Sequence, residues 1–356
     1  MYTPDDLPLA AGIGTNGGPL LSSSPVDQTE FKWMDESHLF PQSTLVGTIV
    51  AADTTFDVTA GQGIRFRAND LISMTDPTNA ASAETEIMRV VSVSTDELTV
   101  TRDYDNSMAT HGEWSAGAVI RNLGNLQSEG STPAAAQSVD RVVRSNYTRI
   151  YGPEKVDMSR TTQRVPRYGV PSEFAHQTRI SILRMLQQRE QDFLYGKRLQ
   201  SSAIRMSGGL AYWLSKTTDA AGAITETVLE TALQGSYDEG GRWNVLIANP
   251  KALKTLSDTD NTNRVRQEIN DPVRGRIPVS TVMTQFGEIQ VVHNRYCDVS
   301  DAFGVFSSGL TRRVLDPLQM HRLAKTGDSD QVMLVLEEGL EVKGADHMRW
   351  IQNITE

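Results

Sequence analysis

The residues in this chain that have the right types and spacing for chemistry form a short series. Gly12, Gly14 and Gly17 match GxGxxG in GIGTNG. A phosphate-cradling loop needs a strand before the glycines and a helix after them, so that backbone N–H groups and the helix dipole meet the anion. Here Pro8 and Pro19 flank the motif and Ser22, Ser23 and Ser24 follow, so a dinucleotide site is not expected. Asp258, Thr259 and Asp260 start like a calcium loop, but Asn263 replaces the turn glycine and Ile269 the closing glutamate. The six histidines (His38, His111, His176, His293, His321 and His347) are scattered, and no two share a helix face. Glu337 and Glu338 read as neighbours in a turn, where side chains do not converge on one substrate atom. GxxxxGK[ST], HExxH and GxSxG are all missing. No catalytic, cofactor-binding or metal-ligating set is expected.

A different chemistry remains, that of surface charge. Arg264, Arg266, Arg274 and Arg276 cluster in a polar stretch. They suit either nucleic acid or the carboxylates of another subunit, and Arg is favoured for bidentate carboxylate pairing. The net charge of −10 and the lack of interleaved aromatics favour the subunit contact. Charge is unevenly spread. Residues 1–40 carry one Lys and six Asp/Glu, whereas 141–198 carry twelve Lys/Arg and five Asp/Glu. Opposite blocks in one chain can attract within a subunit or between neighbours.

The elements that must hold these groups are short, with one exception. Ser172–Tyr195 has no Gly or Pro inside, Pro171 before it and Gly196 after it. At about 1.5 Å per residue this predicts a rod of roughly 36 Å. Ser172 is the expected N-cap. Phe174, Ile182, Leu183, Leu186, Phe193 and Leu194 make an apolar stripe, and Arg179, Arg184, Arg189, Glu190 and Asp192 lie mostly off it. The off-stripe charges are therefore candidate contacts with neighbours.

Before that helix, residues 1–30 hold few large apolar groups and read as an extended arm, which Phe31 and Trp33 would anchor on something else. Its deletion is expected to leave the subunit folded. Residues 44–122 are rich in strands: 45–50, 55–58, 64–67, 71–74, 86–94, 98–102 and 118–121, with a hairpin turning at Thr95 and Asp96. The alternation of Val91, Val93, Leu98 and Val100 suggests a small sandwich or barrel. Beyond the helix, 227–234 and a short segment from Pro250 are expected helices. Strands are expected at 243–248, 288–294, 303–306 and 331–336, the last ended by a turn at Glu337–Gly339.

The totals set outer limits. The chain has 356 residues, 38% of them hydrophobic, enough for two or three ordinary cores. No apolar run approaches the roughly 20 residues of a membrane span. MYTPDDLPLAA lacks the features of a secretory signal, so the sequons at Asn146 and Asn353 are not expected to be used. Cys297 is the sole cysteine, which excludes an internal disulfide and fits a reducing compartment.

The order of these parts resembles the major capsid protein of tailed phages, the Hong Kong 97 fold. VSVSTDELTVTRDYDNS followed by GEWSAGAVIRNLG resembles the β-insertion of some such proteins. YGVPSEFAHQTRISILRMLQQREQDFLYG resembles their spine helix. RMSGGLAYWL, NVLIANPKALKTL and TQFGEIQVVHNRY resemble the domain that follows. The resemblance covers roughly residues 40–356. It implies an α+β chain with an N-terminal arm (1–42), an extended loop carrying the β-rich insertion (43–125), a peripheral domain (126–200, completed by 326–356) and an axial domain (201–325). It further implies a non-enzymatic protein without cofactors that assembles with itself into pentamers and hexamers. The shell would be icosahedral, enclose double-stranded DNA without reading its sequence, form in the host cytoplasm and end in the virion. Its partners would be a separate scaffold, a portal and a decoration or cement protein, with no membrane. The inter-subunit contacts would include Phe31, Trp33, Arg179, Arg184, Arg189, Glu190, Arg264, Arg266, Arg274 and Arg276. Two neighbouring readings stay open: a nanocompartment shell of the same fold, and a β-rich attachment or tail component. An enzyme with a site dispersed in sequence is a third.

Overall fold

The computed structural model describes residues 7–11, 20–36, 41–76, 85–106, 113–130, 141–165, 172–253, 281–325 and 327–355. The chain divides into two compact units, Met1–Ser37 with Arg141–Glu356, and His38–Asp140. The Arg264, Arg266, Arg274 and Arg276 cluster lies outside the described residues.

The inserted unit is a closed barrel. Its strands are Gln42–Val46, Thr55–Val58, Asp70–Thr75, Glu86–Ser94, Glu97–Thr101 and Val119–Asn125. Their antiparallel pairing closes the ring without leaving a strand edge. Alternation explains the closure: Phe56 and Val58, Ile72 and Met74, Met88 and Val90, and Leu98 and Val100 all point into one core with Trp114 and Ile120. The hairpin turns at Thr95, which adopts φ 55°. Two expectations fail in detail. Residues 64–67 are not a strand; Gly63–Arg65 forms a single 3₁₀ turn. Val91 points outward, 53% exposed, because the register shifts between Val90 and Ser92. One extra residue in a strand flips its side-chain parity, and simple alternation cannot anticipate that.

In the larger unit the long helix runs Glu173–Tyr195, with the Ser172 hydroxyl accepting from the Ala175 amide and Gly196 closing it. A four-stranded sheet, ordered Ser22–Pro25, Leu310–Arg322, Ser329–Val342 and Arg149–Ser159, packs against it through Tyr151, Met185, Leu334 and Leu336. The expected turn at Glu337–Gly339 is absent; the strand Ser329–Val342 passes straight through these residues. Gly339 serves close approach instead. A Cβ there would meet Phe31 Cε1 and the Tyr147 carbonyl, each at 2.7 Å.

A second sheet of six strands contains Thr217–Gly222, Arg349–Ile354, Ala302–Val305, Val245–Ala248, Gly287–His293 and Thr281–Thr284. Its central strand Val245–Ala248 is buried on both faces. Val245 and Ile247 join the core that contains Phe193 and Leu194. Leu246 and Ala248 join the core under the helix Glu226–Asp238. The short helix expected from Pro250 is only a turn over 250–252. The two-stranded ribbon Glu30–Glu36 with Arg141–Tyr147 is where the chain leaves for the barrel and returns.

The arm departs from expectation. Leu9, Leu20 and Leu21 are part of the same core as Phe193, Leu194 and Leu340. Ser22–Pro25 adds a parallel strand to Leu310–Arg322, its hydroxyls meeting Thr311, Arg312 and Arg313. Three buried leucines are too many for an ornament, so deletion of residues 1–30 would open the subunit core rather than leave it intact.

Candidate assembly surfaces

The long helix buries a face that its apolar stripe does not mark. Ser181, Met185, Arg189, Glu190, Asp192, Phe193 and Leu194 are buried. Phe174, Ile182, Leu183 and Leu186 are only half-buried. The charged residues earn their interior places through partners on other elements. Arg189 donates to Glu338 at 2.6 Å, with Arg312 3.7 Å from the other carboxylate oxygen. Glu190 accepts from the Leu9 amide at 3.1 Å and from Asn294 Nδ2 at 2.5 Å. Asp192 accepts from the Tyr151 hydroxyl at 2.7 Å and from Arg149 at 2.5 Å. Burial raises the Asp192 carboxyl above its ordinary value despite those two donors. Burial, followed by the nearby Asp192 charge, pushes the Tyr151 phenol well up.

Arg189 and Glu190 are therefore interior struts between the helix, the long strand and the arm, not the neighbour contacts expected of them. Phe31 and Trp33 are corrected in the same way. Both are buried within their own subunit, Trp33 edge-on to Trp213 at 5.1 Å and Phe31 against Gly339. Of the expected helix contacts, Arg179 and Arg184 are exposed.

Sequence reasoning missed several residues that organise this region. Glu337 receives Arg205 and the Thr148 hydroxyl, and Glu341 pairs with Arg313 and Lys343. Asn146, fully buried, donates to Ser207, Gly208 and the Leu340 carbonyl, and accepts from the Gly208 amide. The acidic run in the strand Ser329–Val342 was the available signal: alternate Glu337, Glu341 and Glu338 positions need cations, and the basic block 141–198 supplies some of them. Asn146 carried no signal at all.

An open groove of about 400 Å³ runs beside the uncovered stripe, lined by Phe174, Ala175, Thr178, Arg179, Ile182, Leu183 and Met320. The lining is almost wholly apolar apart from Arg179 and Thr178. Among the described residues, no group of three or more His, Cys, Asp or Glu side chains could hold a metal. The Cys297 thiol is buried and pushed up to about 12, which makes it a poor nucleophile. No described helix is long and apolar enough to cross a membrane. What the surface offers is contact area rather than reacting groups.

The family model of the SU10 major capsid protein matches residues 1–355. No curated protein sequence matches the chain. Among solved structures, that of Microbacterium phage Oxtober96 is similar at 12% identity with a TM-score of 0.50, over 94% of this chain and 90% of that one. The capsid of the native GTA particle matches at 11% identity and a TM-score of 0.48, over 100% and 92% of the two chains. The holo-SrpI encapsulin complex from Synechococcus elongatus PCC 7942 matches at 14% identity and a TM-score of 0.41, over 61% and 78%.

Proposed function

Because the chain belongs to the SU10 major capsid protein family, with the Hong Kong 97-type capsid fold, we propose that it builds a closed icosahedral shell of pentamers and hexamers around double-stranded DNA. The family is structural, not enzymatic, and its place is the virion capsid. The whole-chain family match is the observation that carries this reading.

The parts divide the labour. The long helix and the four-stranded sheet form the peripheral domain, stiffened by the interior ion pairs Arg189–Glu338 and Arg149–Asp192. The six-stranded sheet with the helix Glu226–Asp238 forms the axial domain, where subunits of one capsomer converge. The barrel is the enlarged extended loop, which reaches a neighbour. A net charge of −10 keeps the wall from gripping packaged DNA tightly, since like charges repel. A separate scaffold guides assembly in the host cytoplasm, a portal occupies one vertex, and a decoration protein covers the lattice.

The test is electron microscopy of the purified chain, expressed alone and with the scaffold encoded beside it. Closed icosahedral particles with five- and six-fold capsomers are expected. A monomer that stays dispersed under every assembly condition overturns the proposal. Particles that fill with a protein cargo instead of DNA identify a nanocompartment.

A further inference from the structure

The apolar stripe of the long helix has no cover along its N-terminal half. Ile182 touches the small core of Tyr151, Met185, Leu334 and Leu336, but Phe174, Ala175, Leu183 and the 55%-exposed Met320 open onto the groove. An apolar face of this kind marks an interaction site more often than a chance exposure. Its surroundings are mainly basic. Arg179 lines it, Arg184 is exposed one turn further along the helix, and His321 and Arg322 are exposed beside Met320; Glu173 is the one acidic group next to the lining residues on the helix.

The same chain holds a body of the opposite charge. Residues 38–140 contain thirteen Asp/Glu and five Lys/Arg, a net −8, which is most of the −10 of the whole chain. That unit also exposes Val46, Val50, Ile64, Val91, Tyr104, Leu123 and Leu126. An acidic surface carrying scattered apolar side chains complements an apolar groove with a basic rim.

We infer that the groove of Phe174, Leu183 and Met320 receives the acidic barrel unit of a second copy of this chain. Apolar side chains from the barrel fill the groove, and its carboxylates meet Arg179 and Arg184. This inference rests on the shell reading above and names one of its contacts.

The test places p-benzoylphenylalanine at Leu183, or at the exposed lining position Ala175, in the full chain, and irradiates assembled shells made from mixed ¹⁵N-labelled and unlabelled subunits. Mass spectrometry should find crosslinks to peptides of 38–140, joining labelled to unlabelled copies. In parallel, Arg179→Glu should lower the shell yield several-fold at low salt, with a smaller deficit at high salt, while the melting temperature of the free subunit stays unchanged. Crosslinks confined to 141–356, to the same copy or to another protein, or no crosslinks at all in well-formed shells, overturn the inference and leave the shell reading intact. Failure of the unaltered chain to form any shell overturns both.

Discussion

Glu86 shows what a buried charge does in this molecule. It has no exposed surface, and Arg102 donates to both its oxygens at 2.7 Å, Trp114 Nε1 at 2.8 Å and the Asp103 amide at 3.2 Å. Arg102 in turn donates to the carbonyls of Val50 and Asp53. Burial alone would raise the Glu86 carboxyl, but Arg102 and Trp114 outweigh it and hold it below the usual carboxylate range. The sign of the linkage follows. Because the folded value is the lower one, the stabilisation is complete above about pH 4.3, the unfolded value, and is lost as pH falls through the folded value. Hydrogen exchange of the strand Glu86–Ser94 in the intact chain should therefore accelerate on acidification. Glu86→Gln should remove much of that pH dependence. Glu86→Ala should destabilise the barrel by about 3–5 kcal/mol, because Arg102 is left buried without its partner. Unchanged exchange in Glu86→Ala would show that the network contributes nothing.

At the scale of elements, the arm and the long helix decide how the larger unit coheres. The arm reaches the core by Leu9, and Glu190 of the helix fixes its backbone. Leu9→Ala should cost about 2–5 kcal/mol of stability in the unassembled subunit, read as a lower urea midpoint. A midpoint within error of the parent would mean that the arm docks without supporting the core. These two elements also mark the limit of legibility. The helix was plain in the sequence, because an uninterrupted run with a serine cap, a preceding proline and a closing glycine is local information. Its orientation was not. Arg189, Glu190 and Asp192 look solvent-facing until Glu338, the Leu9 amide and Tyr151 are brought to them from more than forty residues away in either direction. The arm was misread for a similar reason. Three leucines among glycines and serines make no pattern of their own, and their burial depends on a core assembled by Phe193, Leu210 and Leu340. The groove was half legible: the stripe that lines it was seen, but not that the chain itself would leave it uncovered.

At the scale of the molecule, the two compact units carry separate cores, and none of the fourteen buried residues of the barrel core belongs to the other unit. A closed barrel with its own charged lock has what an autonomous domain requires. Expressed alone, residues 38–140 should unfold in one cooperative transition. Trp114 is the only tryptophan in that segment and reports it by fluorescence. A gradual, non-cooperative fluorescence change would show that the barrel depends on the rest of the chain. The strand-rich character of this unit was readable because alternation is a local signal. Its closure was not, since joining the strand Gln42–Val46 to Val119–Asn125 is a choice made across some eighty residues.

The ribbon of Glu30–Glu36 and Arg141–Tyr147 has a consequence for how such a chain diversifies. Glu36 and Arg141 are directly paired, so the chain departs and comes back at adjacent points. Seen from the larger unit, everything between them is a cassette plugged into a two-pronged socket. A different domain whose ends lie side by side could occupy the socket while the ribbon register stays as it is. Lineages could thus trade the insert wholesale, and an engineer could graft a reporter or an antigen at the same two residues.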